Sequence, residues 1–323
     1  MVLIITLNPL LERRFYYNQV TLNNVNRSGK VKYQAGGKGI NVARQLKRLG
    51  IDSHNLIFSG GSNGKTLRDL LRKENLNFTS VHIEDQTREA AVIISNNDKK
   101  IFSFFSNNPI ISKDEIQSLK NLISKVIVNC EIMVISGSSP TEESSELVEF
   151  AISLANKLDK VSICDYYGKN LNEVFNLAPT VVHNNYEELE RYLNLTLNNE
   201  EAILDLLQLL YSKGIKRAYL TNGEKEFYAQ NFDYVYKIYP PSVDSFDSTG
   251  CGDAFVAGLI YGWKVGDVFE HSLKFSTALA SANSTTSEVC NIELNQFEQL
   301  IDQVRVEQIG KKIKLIDDSP TSY

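Results

Sequence analysis

Short apolar runs alternate with helix-like segments along most of the chain, and the alternation becomes regular from about residue 112. A first buried strand is predicted over residues 1–7. Later helices are predicted at 112–128, 142–158 and 200–212, with a shorter one before residue 180. The strands that follow them are predicted at 132–135, 161–164, 180–182 and 217–220. This order is typical of a mostly parallel sheet with helices on both faces. In such a sheet the ligand lies outside the carboxyl ends of the strands.

A helix is predicted to begin in the glycine-rich segment 36–39 and to end at Gly50. Apolar residues recur along one side of it at helical spacing, namely Ile40, Ala43, Leu46 and Leu49. The basic residues between them are predicted to face water, namely Arg44, Lys47 and Arg48. A further helix is predicted to reach Glu74, and the chain beyond Asp253 is predicted to be mainly helical.

Two stretches outside this alternation predict a small β lid. Residues 10–34 contain short alternating pieces, and residues 90–95 and 100–105 form a predicted hairpin that would pair with them. The predicted α/β core comprises 1–9, 36–87 and 109–310. The predicted lid comprises 10–35 and 88–108. Residues 311–323 are expected to form a loosely ordered tail.

The charge balance argues against a nucleic acid partner. The chain has 34 basic and 39 acidic residues, a formal net charge of -5, and no long basic block to follow a phosphate backbone. Its apolar start is too short for a membrane span or a signal sequence. We therefore expect a cytoplasmic protein without a membrane partner. The four cysteines form no C-x-x-C pair, so neither structural zinc nor a redox function is expected.

The segment from Asp247 to Asp253 carries the strongest chemical signal. It lies between a predicted strand at 234–239 and an apolar helical run at 254–263. Two glycines beside a helix start let several backbone N–H groups point into one concavity, which binds anions. Asp253, in the first turn, could take a proton from a hydroxyl beside the anion, which suits phosphoryl transfer. The same residues also allow an N-capped helix after a tight turn, with no ligand.

Two segments resemble the signatures of the ribokinase-like sugar kinases, the phosphofructokinase B family. The first is GGKGINVAR at 36–44, and the second is DSTGCGD at 247–253. Other family landmarks have counterparts at 6–9, 25–27, 87–88, 136–138 and 185–188. The resemblance covers nearly the whole chain and is closest to the phosphosugar branch, the tagatose-6-phosphate kinases and 1-phosphofructokinases. It implies a ribokinase-like three-layer α/β/α domain with a mostly parallel central sheet and a small β-sheet lid.

The resemblance also implies a reaction, the ATP-dependent phosphorylation of a ketohexose phosphate to a bisphosphate with Mg²⁺. Asp253 would be the general base. The anion hole for the transferred phosphoryl group would be formed by Gly250, Cys251 and Gly252. A homodimer formed through the lid is implied by analogy alone.

Binding roles follow from the same resemblance. The sugar hydroxyls would be bound by Glu12, Gly37 and Asn41. The phosphate already on the sugar needs fixed cations and fork-like donors, supplied by Arg27, Lys38, Arg88 and Ser138. Lys38 and Arg88 are expected to converge on that anion. The nucleotide would be bound by Asn185, Glu188, Thr221, Gly223 and Asn283, with Glu188 also acting indirectly on Mg²⁺.

Two departures from the family pattern leave the specificity open. Glu12 stands where the family has aspartate, and its side chain is expected to face a wet cleft. His183, Asn184 and Asn185 replace a Lys-Pro-Asn sequence, which removes a cation near the phosphates. Two alternatives therefore remain: a catalytically weak sugar-phosphate sensor, and a kinase of an unphosphorylated sugar or nucleoside.

Overall fold

The computed structural model describes residues 1–27 and 29–311. The strands of this part of the chain are β1 (Val2–Thr6), β2 (Leu10–Tyr17), β3 (Lys30–Gly36), β4 (Ser53–Ser59), β5 (Phe78–His82), β6 (Glu89–Ser95), β7 (Lys100–Phe105), β8 (Ile132–Gly137), β9 (Val161–Tyr166), β10 (Val181–Asn185), β11 (Arg217–Thr221), β12 (Phe227–Asn231), β13 (Tyr234–Tyr239) and β14 (Arg305–Lys311). Its α-helices are α1 (Lys38–Arg48), α2 (Gly61–Lys73), α3 (Lys113–Val126), α4 (Glu146–Lys157), α5 (Leu171–Asn176), α6 (Tyr186–Leu193), α7 (Glu200–Ser212), α8 (Cys251–Val265), α9 (Phe269–Ser284) and α10 (Glu298–Ile301).

The larger sheet has the strand order β14-β13-β12-β11-β10-β9-β8-β1-β4-β5. Neighbouring strands from β5 to β11 run parallel, and β12, β13 and β14 are added antiparallel at one edge. The predicted mostly parallel sheet is therefore confirmed. The loops after β8, β9, β10 and β11 all lie at the same end of the sheet, because the carboxyl ends of parallel strands point in one direction.

Helices cover both faces of this sheet, and β1 shows why. Val2 and Ile4 belong to one hydrophobic cluster, which includes α1, α8 and α9. Leu3 and Ile5 belong to the other, which includes α3, α4 and α7. Successive side chains of a strand point to opposite faces, so a wholly apolar strand requires cover on both sides. The expected three-layer arrangement is confirmed.

A separate four-stranded sheet has the order β3-β2-β6-β7. The hairpin of β6 and β7 is antiparallel as predicted, and β6 pairs with β2 in parallel. This confirms that the hairpin joins the earlier segment. One face of this sheet buries Leu10, Ala90, Val92 and Ile94. The exact domain boundaries stay a prediction.

The structure adds to the predicted elements and corrects one of them. The chain beyond Asp253 is mainly helical as predicted, but it also contains β14, which was not predicted and pairs with β13 at the sheet edge. Strands β5 and β12 were not predicted. Arg44 is buried rather than facing water, since Glu74 and the Ala35 carbonyl accept from its guanidinium. The predicted loose tail lies almost entirely outside the described residues. Within 1–27 and 29–311, no helix is long and apolar enough to cross a bilayer.

Candidate active site

The loop before α8 presents backbone N–H groups at the open edge of the sheet. Gly250 is the N-cap of α8 and has a φ of 77° and a ψ of 3°, which is a left-handed conformation. A side chain at this position would also meet Val289, so glycine is required on both grounds. The first N–H groups of an α-helix have no intrahelical acceptor. The start of α8 therefore has the backbone geometry of an anion site, although the N–H of Cys251 donates to the Ser248 carbonyl at 3.2 Å. Binding of an anion there stays a prediction.

Side chains behind the loop fix its shape. Oδ1 of Asp247 accepts a hydrogen bond of 2.8 Å from the backbone N–H of Thr249. The side-chain amide of Asn283 donates to the Thr249 carbonyl at 2.9 Å and accepts from the backbone N–H of Cys290 at 2.7 Å. Both ends of that amide are thus engaged with the loop region. The predicted nucleotide contact of Asn283 stays a prediction.

Asp253 lies in the first turn of α8 and is only 4% exposed. Its Oδ2 accepts a hydrogen bond of 2.8 Å from the side-chain amide of Asn41. Burial raises the pKa of Asp253 to about 7; the ammonium of Lys38 opposes this rise, and the carboxylate of Asp165 adds to it. A carboxylate that titrates near neutrality is suited to general acid-base catalysis.

The amide of Asn41 has a fixed orientation. Nη1 of Arg44 donates to Oδ1 of Asn41 at 2.8 Å, so the NH₂ group of Asn41 is the part that faces Asp253. Arg44 is held in turn by Glu74, with 2.6 Å between Nε and Oε2. The family resemblance assigns Asn41 to the sugar hydroxyls, and that contact stays a prediction. The supporting role of Arg44 was not predicted.

Asp165, at the end of β9, is a fully buried acceptor for three side chains. Its carboxylate accepts from Oγ of Ser136 at 2.7 Å, lies 2.9 Å from Nδ1 of His183, and lies 3.3 Å from Nζ of Lys38. Burial alone would raise the pKa of Asp165, but Lys38 and the hydrogen bond with His183 hold it below the usual range. In the sequence Asp165 is simply the polar residue that follows the strand predicted at 161–164.

The ammonium of Lys38 contacts two carboxylates. Its Nζ lies 2.8 Å from Oε1 of Glu188 in addition to its contact with Asp165. Burial alone would lower the pKa of Lys38, but Asp165, Glu188 and then Asp253 raise it. Its ammonium also lies 4.8 Å from the ring centroid of Tyr167. Two acids thus offset the charge of Lys38 without a ligand, and the expected convergence of Lys38 and Arg88 on an anion stays a prediction.

Glu188 and Asn185 form a capping box at the start of α6. Oδ1 of Asn185 accepts from the backbone N–H of Glu188 at 2.8 Å, and Oε2 of Glu188 accepts from that of Asn185 at 3.2 Å. The box explains both residue types without a ligand. However, Oδ1 of the neighbouring Asn184 is buried without a hydrogen-bond partner among the described residues. Because Lys38, Asn184 and Asn185 already engage the oxygens of Glu188, this carboxylate fits a hydrated Mg²⁺ through water, beside the acceptor of Asn184.

No group of three or more acidic, histidine or cysteine side chains in the described ranges could hold a metal by itself. That is compatible with magnesium, which proteins usually bind through one or two carboxylates and the phosphates of a substrate.

A second polar cluster surrounds Arg88. Nη2 of Arg88 donates to the carbonyl of Asn8 at 2.8 Å, and Nη1 donates to Oδ1 of Asn108 at 3.3 Å. The side-chain amide of Asn8 donates to Asn108 at 3.1 Å and to Oγ of Ser138 at 3.4 Å. Nε of Arg88 and Oδ1 of Asn8 are buried without a partner in the described part of the chain. Such atoms call for a ligand or water.

The remaining predicted residues fall in three places. Gly37 precedes α1 with a φ of 120°, and a Cβ there would lie 3.1 Å from Cα of Pro9. Oγ1 of Thr221, at the end of β11, lies 3.3 Å from Nε2 of His183, and Gly223 follows with a φ of 60°. Arg27 is exposed in the loop between β2 and β3. The structure brings Arg27 into none of the contacts described above.

Glu12 does not face a wet cleft, so that expectation is wrong. The residue is only 6% exposed, and its Oε2 accepts from Nη1 of Arg14 at 2.9 Å. Its other oxygen, Oε1, would lie 2.6 Å from a Cβ built on Gly36. Glu12 is therefore held beside the glycine-rich segment by an arginine that the sequence analysis did not single out. A contact between Glu12 and a sugar stays a prediction.

Glu12→Asp is expected to change the KM for the sugar and to lower the free energy of unfolding by about 1 to 3 kcal/mol. The shorter side chain withdraws the carboxylate from Arg14, which is buried and needs its partner. Thermal unfolding and steady-state kinetics measure the two effects. Glu89→Asp is the matched control, because Glu89 pairs with Arg13 at the surface and such pairs contribute little. Unchanged stability and kinetics in Glu12→Asp would contradict the assignment.

A profile of the pfkB family carbohydrate kinases matches residues 8–295. The chain therefore belongs to this family of carbohydrate kinases. It is 28% identical over 311 residues to a 1-phosphofructokinase of Borreliella burgdorferi, covering 96% of this chain and 99% of the relative. It is 26% identical over 313 residues to a tagatose-6-phosphate kinase of Staphylococcus epidermidis, covering 96% and 100%. A Thermotoga maritima structure described as a possible 1-phosphofructokinase superposes with a TM-score of 0.85 at 26% identity, covering 96% of this chain and 99% of that one.

Proposed function

We propose that this carbohydrate kinase transfers the γ-phosphoryl group of ATP to a hydroxyl of a ketohexose phosphate and so forms a bisphosphate. The observation that carries the proposal is the buried carboxylate of Asp253, held by Asn41 in the first turn of α8. This placement puts a base beside a helix N-terminus that can accept an anion. The names of the relatives support tagatose 6-phosphate and fructose 1-phosphate as the substrate class.

In this proposal Asp253 takes the proton of the attacking hydroxyl. The amides of Gly250, Cys251 and Gly252 stabilise the charge on the transferred group, which is the main task of an enzyme in phosphoryl transfer. Lys38 lies within the electrostatic reach of Asp253, so we assign its ammonium to the transferred phosphoryl group rather than to the sugar phosphate. When substrate arrives, Lys38 can exchange a carboxylate for a phosphate oxygen.

The cluster around Arg88 is proposed to bind the phosphate already on the sugar. Arg88 offers a guanidinium fork whose Nε has no partner within 1–27 and 29–311, while Asn8 and Ser138 add polar atoms beside it. Burial lowers the pKa of Arg88, yet a guanidinium stays charged in proteins. Arg27 would join this set only if its loop moved towards the cluster.

The nucleotide is proposed to lie along the ends of β10 and β11, past Thr221 and Gly223. Asn185 and Glu188 would lie near its phosphates, and Mg²⁺ would be held by the Oδ1 of Asn184 and, through water, by Glu188. When bound, the metal supplies positive charge to the phosphate oxygens. His183 is close to the anion hole, because a Cβ on Gly252 would lie 3.1 Å from its ring.

A coupled ADP-release assay over tagatose 6-phosphate, fructose 1-phosphate, fructose 6-phosphate and the unphosphorylated sugars tests this proposal. The expected result is a kcat/KM for one ketohexose phosphate at least about a hundredfold above that for its unphosphorylated counterpart. Equal values for both would select a kinase of unphosphorylated sugars. Binding of a sugar phosphate without any turnover would select a sensor.

The pH dependence of kcat/KM should reveal the base. Because Asp253 must be ionised to accept a proton and burial raises its pKa to about 7, kcat/KM should fall as the pH drops below that value. Its logarithm should decline with a slope of about 1 per pH unit. Rate measurements over a range of pH, with the folded state checked at each value, test the expectation. A profile that stays flat down to about pH 5 would contradict it.

We also propose that the small sheet mediates a homodimer. Apolar side chains are exposed at both of its edges, namely Val31, Tyr33, Phe104 and Phe105. Exposed apolar groups of this kind often mark a contact with another chain. Light scattering coupled to size-exclusion chromatography should give twice the mass of the chain, and a monomer mass at all concentrations would contradict the proposal.

A further inference from the structure

Arg14 is a charged side chain buried as deeply as the core. It lies on β2 of the small sheet and is 1% exposed. Its Nη1 donates to Glu12, while its Nη2 donates to Oδ2 of Asp247 at 3.3 Å and to the carbonyl of Ser287 at 3.1 Å. A guanidinium removed from water to this extent is tolerated only when carboxylates and carbonyls replace its hydration.

The acceptors of Arg14 belong to two different parts of the site. Glu12 lies beside Gly36, where the glycine-rich segment leads into α1. Asp247 lies directly behind the anion hole, since its second oxygen holds the backbone N–H of Thr249. Ser287 belongs to the segment after α9, which also places Val289 and Cys290 against Gly250. One guanidinium therefore joins the small sheet to the loop that presents the first N–H groups of α8.

The charge of Arg14 matters for anion binding as well as for shape. Backbone N–H groups carry only partial positive charges, and an unbalanced carboxylate behind them would repel an approaching phosphoryl group. Arg14 neutralises Asp247 at that position. Its loss would leave Glu12 and Asp247 as two buried carboxylates with fewer partners.

We propose that Arg14 is a positioning residue for phosphoryl transfer, holding Asp247 so that the loop before α8 keeps the shape in which the start of that helix receives the transferred group. This proposal rests on the proposed function of the same loop. In this proposal the small sheet covers the sugar and also supports phosphoryl transfer through Arg14. A purely structural ion pair would instead affect stability and leave kcat unchanged in any folded variant.

The test is Arg14→Ala with guanidinium ion added back. We expect kcat to fall by about a hundredfold, since small displacements of catalytic donors have effects of that size, while the KM for ATP changes little. Guanidinium chloride at about 20 mM should fill the space left by the side chain and restore kcat severalfold, whereas sodium chloride and urea at equal concentration should not. Arg13→Ala is the control, because Arg13 is on the same strand but is only half-buried and pairs with Glu89 rather than with the loop before α8.

Melting temperatures show whether Arg14→Ala is folded and give a readout independent of turnover. The same low concentration of guanidinium should raise the melting temperature of Arg14→Ala and should not raise that of the wild type. If the single variant does not fold, the charge-neutral variant Glu12→Gln/Arg14→Met/Asp247→Asn takes its place. That variant keeps an oxygen acceptor for Thr249 and should fold with a kcat reduced by at least about tenfold.

Each outcome bears on the proposal. A folded Arg14→Ala with kcat within twofold of wild type, or without recovery in guanidinium, would overturn it, as would wild-type kcat in the neutral triple variant. All ratios are taken on whichever sugar phosphate the wild type phosphorylates, so an error in substrate class does not affect them. A wild type without kinase activity would overturn the proposed function itself. An active wild type whose kcat is unchanged by Arg14→Ala would overturn only the role of Arg14.

Discussion

Asp253→Asn is expected to lower kcat by about a hundredfold or more while the KM for ATP stays near the wild-type value. The asparagine keeps the size of the side chain but cannot accept a proton from the attacking hydroxyl. Steady-state kinetics with a ketohexose phosphate measure the effect. A wild-type kcat in this variant would remove Asp253 from the mechanism.

The same variant should be more stable than the wild type above neutral pH, which separates lost catalysis from lost folding. The folded protein holds the proton of Asp253 more tightly than the unfolded chain, because burial raises the pKa from 3.8 to about 7. Ionisation of Asp253 therefore lowers wild-type stability as the pH rises through that window, and Asp253→Asn escapes this loss. Denaturant unfolding should show a gain of roughly a few kcal/mol at about pH 8 and none near about pH 4. A variant less stable at both pH values would contradict the raised pKa.

Arg88→Ala is expected to raise the KM for the sugar phosphate by about ten- to a hundredfold and to leave the KM for ATP nearly unchanged. Charge-assisted contacts from Arg88 to the substrate phosphate would be lost, while the nucleotide side of the site would keep its residues. Kinetics with both substrates varied give the two constants. If only the KM for ATP rose, Arg88 would instead be assigned to nucleotide binding.

Lys38→Met provides the contrast to Arg88→Ala. Because Lys38 contacts Asp165 and Glu188, its loss should act on kcat and on the KM for ATP more than on the KM for the sugar phosphate. If Lys38→Met raised only the KM for the sugar phosphate, Lys38 would instead be assigned to binding the phosphate already on the sugar.

Much of the fold follows from local patterns in the sequence. Helix α7 and strand β13 have the predicted bounds, because each combines a clear period with clear end signals. The same reasoning predicted wrongly that Arg44 faces water. Arg44 occupies a polar position of an amphipathic helix, yet Glu74 of a distant segment neutralises it inside the protein. Periodicity cannot reveal such a partner.

The candidate site shows a similar division. The loop at 247–253 was identifiable because glycine spacing and a helix start are local features. The partners of Lys38 are 127 and 150 residues away in the chain, so the pattern around Lys38 could not show that acids would hold its ammonium. Arg14 gave no signal either, since a charged residue on a lid strand normally faces water.

Mass spectrometry of the sugar product tests the central claim most directly. Incubation with ATP, Mg²⁺ and the accepted ketohexose phosphate should convert the sugar monophosphate to a bisphosphate, with one ADP formed for each phosphoryl group gained. ADP accompanied by inorganic phosphate and unchanged sugar phosphate, or a product formed only from an unphosphorylated sugar, would contradict the account.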